Sequence, residues 1–193
     1  MNRLKIVAVA LFALVTVSNV NAQDENNPWA VGFGVNVVDF SDFGVNTEDW
    51  NFLPSVSRVS IEKYVKSGFT LQFAGTMNRI EIQRISNGDR LKVDELYWSV
   101  GGTVKYDINN IVGETSQWFD PYVFVGGGYV NYGDASEGMM HVGAGFNSWV
   151  NENLGFNFQY GRKKGFSDEV AEHNQLSLGL VYRFGEKKTD SNN

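Results

Sequence analysis

The chain has 193 residues, of which 42% are apolar, 14% are aromatic and none is cysteine. At this length a single domain is expected, and the lack of cysteine excludes disulfide staples, thiolate metal ligands and a cysteine nucleophile. The predicted signal described next holds Arg3 and Lys5, so 14 basic residues face 22 acidic ones after it, a net charge of −8. Such an acidic chain is poorly suited to bind nucleic acid, which requires a basic face.

The first 22 residues are predicted to be a removable secretory signal. Arg3 and Lys5 make the start positive, residues 6–15 are continuously apolar, and residues 20–22 place compact side chains at the cleavage site. This order of features is typical of a signal peptide, and the alternative is an uncleaved N-terminal anchor. No later apolar run is long enough for a spanning helix, so a mature chain in a membrane would have to cross it as strands.

Alternation of apolar and polar residues predicts eight strands between residues 23 and 185. Eight strands of about 11 residues use roughly 88 positions, whereas sixteen strands of about 10 residues would leave almost none for connections. The prediction is therefore an all-β, eight-stranded antiparallel transmembrane β-barrel, followed by a short polar tail at residues 186–193. The alternating segments are residues 31–37, 58–64, 69–78, 95–106, 122–132, 141–149, 156–161 and 176–184.

The connections between these segments differ in length and polarity. Residues 65–68 and 151–153 are short, whereas the connections after the first, third, fifth and seventh strands are longer and more polar. We expect these longer connections to face outside, because membrane barrels have short turns at one end and longer loops at the other. They comprise residues 41–51, 81–92, 134–138 and 164–173.

The residues on the polar face favour a membrane barrel over a soluble one. Periodicity alone allows a lipocalin-like barrel with apolar residues inside as the alternative. The polar face is rich in glycine and uncharged residues, and its few charges are expected to pair across a narrow lumen: Arg58, Glu62, Glu95, Lys105 and Arg183. Aromatic residues gather near strand ends, where membrane barrels carry aromatic girdles: Trp29, Tyr64, Tyr106, Tyr122, Trp149, Tyr160, Tyr182 and Phe184.

The final strand carries a family resemblance. Leu176, Leu178, Leu180, Tyr182 and Phe184 alternate with smaller or polar residues. This run resembles the closing strand of bacterial outer-membrane barrels, whose terminal aromatic residue is a recognition signal for the insertion machinery. The chain as a whole resembles the small eight-stranded barrels of the OmpA/OmpX type, as do residues 27–32 and 114–123 in particular.

The resemblance implies a location and a set of partners. The location is the outer membrane of a Gram-negative bacterium, and the partners are outer-membrane lipid, the insertion machinery through Phe184, and other envelope proteins. We expect a monomer with a filled polar lumen, long outer loops, a structural or surface-interaction role and no enzymatic activity. The alternatives are a narrow pore for small solutes and a subunit of a larger outer-membrane complex. Only residues 186–193 follow the barrel, so the peptidoglycan-binding domain of many relatives is not expected.

The remaining motifs predict no catalytic, cofactor or metal site. His141 on the lumen face and His173 in a loop lack partners at metal-ligand spacing, which favours a structural or solvated role. The glycines at residues 126–128 lack the lysine and helix of a phosphate loop, so they are expected to bend the strand or to accommodate a bulky neighbour. Residues 39–49 are expected to be a solvated loop that does not match a calcium site; it holds Asp39, Asp42, Glu48 and Asp49, and Phe40, Phe43, Trp50 and Phe52 lie in or beside it as potential partner contacts.

Overall fold

The computed structural model describes residues 28–41, 47–84, 90–112, 118–167 and 169–184. No helix in these ranges is both long and apolar enough to span a membrane. A 3-10 turn at Thr47–Asp49 and a helical turn at Asn109–Val112 accompany the strands. The strands are β1 (Trp29–Asp39), β2 (Trp50–Phe52), β3 (Arg58–Lys66), β4 (Phe69–Arg84), β5 (Arg90–Asp107), β6 (Phe119–Tyr132), β7 (Ala135–Trp149), β8 (Leu154–Gly165) and β9 (His173–Phe184).

Eight of these strands close into an antiparallel barrel. From β3 to β9 each strand pairs with the next along the chain, and β1 pairs with both β3 and β9. The closing seam between β1 and β9 runs without a register shift from Trp29 opposite Phe184 to Asp39 opposite Asn174. A closed sheet leaves no unpaired edge in lipid. The predicted eight-stranded barrel is confirmed.

The short strand β2 was not predicted, because it lies in a region interpreted as a loop. It pairs with the C-terminal part of β1 at residues 37–39, beyond the part that pairs with β3. Pro54, which has no backbone N–H, lies in the segment that separates β2 from β3. The Asn51 side chain ties β2 to β4, since its Oδ1 accepts from the backbone N of Glu81 at 2.7 Å and of Ile82 at 2.9 Å.

Two hairpins at the same end of the barrel are longer than predicted. β4 continues to Arg84 and β5 begins at Arg90, although residues 81–92 were predicted as a connection. β6 and β7 are joined by the two-residue turn Gly133–Asp134, in which Gly133 has a φ of 57°. The prediction of a long loop after the fifth strand is therefore wrong. Beyond Met77 the outer face becomes charged, as in the Arg79–Asp94 ion pair, so the alternation that marks a lipid-facing strand ends before the strand does.

The predicted facing of the strands is confirmed. The side chains directed into the barrel are mainly polar and buried, as in Asn36, Gln72, Asn78, Ser99 and Ser177. β6, whose faces the alternation left open, turns Tyr122, Phe124 and Val130 inward and Val123, Val125 and Tyr129 outward. Exposed apolar side chains cover the outside of the other strands and include Phe33, Val59, Ile61, Leu71, Phe73, Met77, Leu96, Val104, Val142, Phe156, Leu178 and Leu180.

Three of the aromatic residues predicted for the girdles face the interior of the barrel instead. Trp149 is 1% exposed, Tyr122 is 3% exposed, and Tyr64 is half-buried and lines a lumen cavity with Glu62. Trp29, Tyr182 and Phe184 are exposed on the outside as predicted. Alternate residues of β7 face the interior, and Trp149 is one of them. Its indole nitrogen donates to the Asp120 carboxylate. A position near a strand end does not reveal which way an aromatic residue faces. It must also be known which alternate residues of the strand point inward.

Candidate functional site

The interior of the barrel is the main candidate site, and its mouth at the end opposite to Trp29 and Phe184 is closed by an apolar cluster. Phe40, just beyond β1, turns inward and is buried, contrary to the prediction of an exposed loop aromatic. Its ring centroid lies 5.4 Å from that of Tyr132 and 5.2 Å from that of His173. The buried members of this mouth cluster are Val38, Phe40, Ile80, Tyr97, Val130, Met139 and Val170.

Hydrogen bonds to the Glu137 carboxylate hold the connection between β8 and β9 over the mouth. Glu137 in β7 is buried, and its oxygens accept from the backbone N of Ser167 at 2.8 Å, the Ser167 hydroxyl at 2.8 Å and the backbone N of Val170 at 2.7 Å. These bonds hold Val170 in the mouth cluster. Neither Glu137 nor Val170 was predicted as a functional residue, because both lie in segments interpreted as loops.

His173 is buried in the mouth rather than solvated in a loop. It is the first residue of β9 and has no solvent exposure. Its Nε2 lies 2.8 Å from the Tyr97 hydroxyl, and its Nδ1 lies 3.0 Å from the Ala171 carbonyl oxygen. Both ring nitrogens thus have polar partners, as a buried imidazole requires. Across the described ranges, no group of three or more His, Cys, Asp or Glu residues could hold a metal ion.

Below the mouth cluster, polar side chains reach across the lumen. Arg58 on β3 donates through Nη2 to Oε1 of Gln72 at 3.1 Å and to Oε1 of Gln159 on β8 at 3.2 Å. Lys163 on β8 donates to Ser99 on β5 at 2.8 Å. The space that remains beside these side chains is a central cavity of about 40 Å³. It is lined by Arg58, His141 and Lys163 together with neutral polar and apolar residues, including Thr76, Thr103, Gln159, Gln175, Phe124 and Met139.

His141 lies at this level because a glycine makes room for it. Thr103, Gly126 and His141 are paired in a row across β5, β6 and β7. A Cβ atom at Gly126 would come within 2.4 Å of His141 Nε2 and 2.3 Å of the Gly102 carbonyl oxygen. The imidazole instead passes over Gly126, so that its Nε2 lies 2.8 Å from the Thr103 hydroxyl. This close approach accounts for a glycine at residue 126.

A buried ion pair forms the next level of the lumen. Lys105 Nζ lies 2.7 Å from Glu62 Oε1, and neither side chain is more than 3% exposed. Gln72 donates to the same Glu62 oxygen at 2.7 Å and thereby links the pair to Arg58. Three of the five charges predicted to form an internal network therefore do so. Glu95 is exposed at the rim, because β5 at that point lies beyond the lumen.

Arg183, the fifth charge, lies in a separate cluster near the end of the barrel that holds both Trp29 and Phe184. Its guanidinium carbon lies 4.0 Å from the centre of the Trp149 ring, a cation–π contact in a buried setting. Asn153 donates to the Arg183 carbonyl oxygen at 3.0 Å, and the Arg183 Nε donates to the Glu152 carbonyl oxygen. Trp149 and Arg183 thus occupy the lumen at this end.

The acidic segment around residues 39–49 does not form a solvated face in the part that is described. Asp39 and Asp49 are buried, and Asp39 accepts from the backbone N of Ser41 at 2.8 Å. Asp42, Phe43 and the side chain of Glu48 lie outside the described residues. Trp50 is half-buried, whereas Phe52 is exposed as predicted.

The outer side of the rim carries a small ion cluster. Glu172, in the connection before β9, lies 2.8 Å from Lys164 Nζ and 2.8 Å from Arg162 Nη2. The hydrogen bonds from Lys164 and Arg162 hold the pKa of Glu172 below its ordinary value. Because Glu172 is about one-third exposed, solvent screening limits what these pairs contribute to stability.

The barrel has an apolar band on its outside and a polar interior, and its sequence matches a known family. A family model described as the outer membrane protein beta-barrel domain matches residues 7–184. The chain belongs to this family. No curated protein matches the sequence.

Solved structures with the same fold are outer-membrane barrels. OprG of Pseudomonas aeruginosa has a TM-score of 0.60 at 12% identity, with 86% of this chain and 100% of that chain covered. Neisserial surface protein A has a TM-score of 0.55 at 16% identity, with coverages of 81% and 96%. Ail, the attachment invasion locus protein of Yersinia pestis, has a TM-score of 0.50 at 15% identity, with coverages of 83% and 99%. The protein is thus an integral barrel of the bacterial outer membrane.

Proposed function

We propose that this outer-membrane barrel is closed to solutes, has no enzymatic activity, and serves the cell envelope through contacts made at its outer rim. The observation that carries the proposal is the closure of the lumen at successive levels. The mouth cluster seals the outer end, side chains from opposite strands meet below it, and Trp149 with Arg183 occupies the other end. A role as an axial pore would require a continuous channel through all three levels.

The size of the remaining spaces supports this reading. The lumen of the described chain contains a central cavity of about 40 Å³, a second of about 30 Å³ near Lys105 and Asp107, and a third of about 10 Å³ near Ser60 and Asn157. A single water needs about 10–15 Å³ by this kind of measure, so each cavity holds a few waters at most. Eight-stranded barrels have interiors just wide enough to be filled by side chains.

We infer the orientation of the barrel from the positions of its first and last strands and of its connections. The short turns after β3 and β7 lie, together with the longer connection at residues 108–118 after β5, at the end that holds Trp29 and Phe184. We assign this end to the periplasm. The extended β4–β5 and β6–β7 hairpins then face outside, as does Phe166, which is 72% exposed in the β8–β9 connection. In this orientation Phe184 lies at the periplasmic end, where we propose that the insertion machinery recognises it.

Conductance in planar lipid bilayers tests the closure. We expect the purified protein to give no resolved current steps, and we expect a Phe40→Ala, Val170→Ala double variant to stay closed as well, because the polar level below the mouth is intact. Discrete current steps in the wild-type protein would refute a closed barrel.

Site-specific photo-crosslinking in living cells tests the contact role. A photoreactive residue at Phe166 on the rim is expected to yield a discrete protein or lipopolysaccharide adduct. The matched control is Phe73, which is equally apolar but lies on the lipid-facing wall. Equal adduct patterns at the two positions, or none at Phe166, would refute a rim-specific contact.

A further inference from the structure

We propose that the central cavity of the barrel binds a small monatomic anion of chloride size. The inference rests on the balance of charge around the cavity. Arg58, His141 and Lys163 line it, and no Asp or Glu does. The three basic side chains come from β3, β7 and β8, so the closure of the barrel brings them to one place.

Neither cation that lines the cavity has a carboxylate partner. Among the described residues, the ion pairs are those of Arg79, Lys105, Arg162 and Lys164, and none includes Arg58 or Lys163. Glu62 lies in the lumen outside this lining, and its Oε1 accepts from Lys105 and Gln72. With Arg58, Lys105 and Lys163 protonated, Glu62 ionised and His141 neutral, the formal net charge of the central lumen is +2.

Donor groups remain available for an anion. Arg58 uses only Nη2 toward Gln72 and Gln159, although a guanidinium carries five N–H donors. Lys163 donates to Ser99 at 2.8 Å and to the Tyr97 hydroxyl at 3.3 Å, which leaves one ammonium hydrogen. A cation without a counter-ion in a largely buried setting is destabilising, and an anion among these donors would supply that counter-ion.

The volume of the cavity limits the class of anion. About 40 Å³ holds one monatomic ion with one or two waters, because a single water requires about 10–15 Å³. A nucleotide, a sugar phosphate or a carboxylate of metabolite size does not fit. The fit is therefore to chloride or bromide rather than to an organic substrate.

The dependence of stability on halide tests the site in solution. The unfolding midpoint of purified protein in detergent would be measured at increasing chloride, with gluconate making up a constant ionic strength. A ligand that binds only the folded state raises the midpoint with its concentration, so we expect the wild-type midpoint to rise with chloride. Lys163→Met should abolish this rise. Lys164→Met, which removes a neighbouring cation on the outside of the same strand, should retain it.

Crystals grown in bromide provide the direct observation. We expect an anomalous peak between Arg58 and Lys163 in the wild-type protein and its loss in Lys163→Met. Arg58→Gln is the second variant should Lys163→Met fail to fold. A chloride response that is equal in all variants would overturn the proposal. So would a bromide peak without any solution response, which would mean binding at crystal concentration only.

Discussion

The mouth and the centre of the barrel are both filled, but they are filled by different chemistry. At the mouth, apolar side chains from β1 and from the β8–β9 connection pack against one another. At the centre, charged and amide side chains from opposite strands form directed hydrogen bonds, as between Arg58 and Gln159. Apolar packing tolerates small changes in shape, whereas each group in a buried polar set depends on a particular partner.

The difference is explained by what lies outside the wall at each level. At the centre the outer face of the wall meets lipid and is apolar. The inner face of each strand is polar there, as in other membrane barrels. Beyond Met77 the outer face carries charges such as Arg79 and Asp94. An apolar interior is then favourable for the usual reason that water surrounds it. The mouth thus follows the rules of a soluble core and the centre those of a membrane barrel.

The largest effect is expected at the centre, from Lys105→Met. Removal of one partner leaves Glu62 buried without a cation, and breaking such a pair costs about 3–5 kcal/mol. The free energy of unfolding in urea from lipid bilayers measures the loss. The Glu62→Gln, Lys105→Met double variant should recover part of it, because no uncompensated charge remains. A loss below about 1 kcal/mol in the single variant would show that the centre is not governed by its polar partners.

A somewhat smaller effect is expected at the mouth, from Phe40→Ala. Truncation of a buried phenylalanine costs about 3–5 kcal/mol in a closed core, and we expect the lower end because a loop-supported site can relax. Phe40→Leu should cost much less, since it retains most of the apolar volume. The losses from Phe40→Ala and Lys105→Met should add, as for sites without shared partners. A marked departure from additivity would show that mouth and centre form one cooperative unit.

The smallest effect is expected on the outside of the rim, from Glu172→Gln. Since Glu172 is partly exposed, its pairs with Lys164 and Arg162 should contribute less than about 1 kcal/mol. The folded-state pKa of Glu172 is lowered, so this stability is present above the ordinary carboxyl pKa. It is lost as the pH falls through the lowered value. Unfolding midpoints of the wild-type protein and the variant should therefore differ slightly at neutral pH and converge in acid.

Alternation along the chain predicted the strands and their facing wherever one side of the wall meets lipid. It was silent or wrong where that contrast is missing. β6 has apolar residues on both faces, because Tyr122, Phe124 and Val130 fill the interior. Glu95 was placed in the lumen because its parity is correct, but the strand extends beyond the lumen at that point. Glu137 and Val170 were not predicted, because residues that hold a connection over the mouth do not follow the two-residue alternation of a strand.

The predicted signal at residues 1–22, the monomeric state and the partners stay predictions.

The interior of the barrel shows most clearly what the alternation along the sequence does not contain. The sequence by itself determined the eight barrel strands, their antiparallel order and, outside β6, the facing of the lipid-exposed wall, because a period of two and a lipid environment leave little choice. Only the tertiary structure decided which inward residues meet, such as Arg58 with Gln159, 101 positions apart. Such contacts depend on the stagger of the closed barrel, a property of all eight strands together that no single segment encodes.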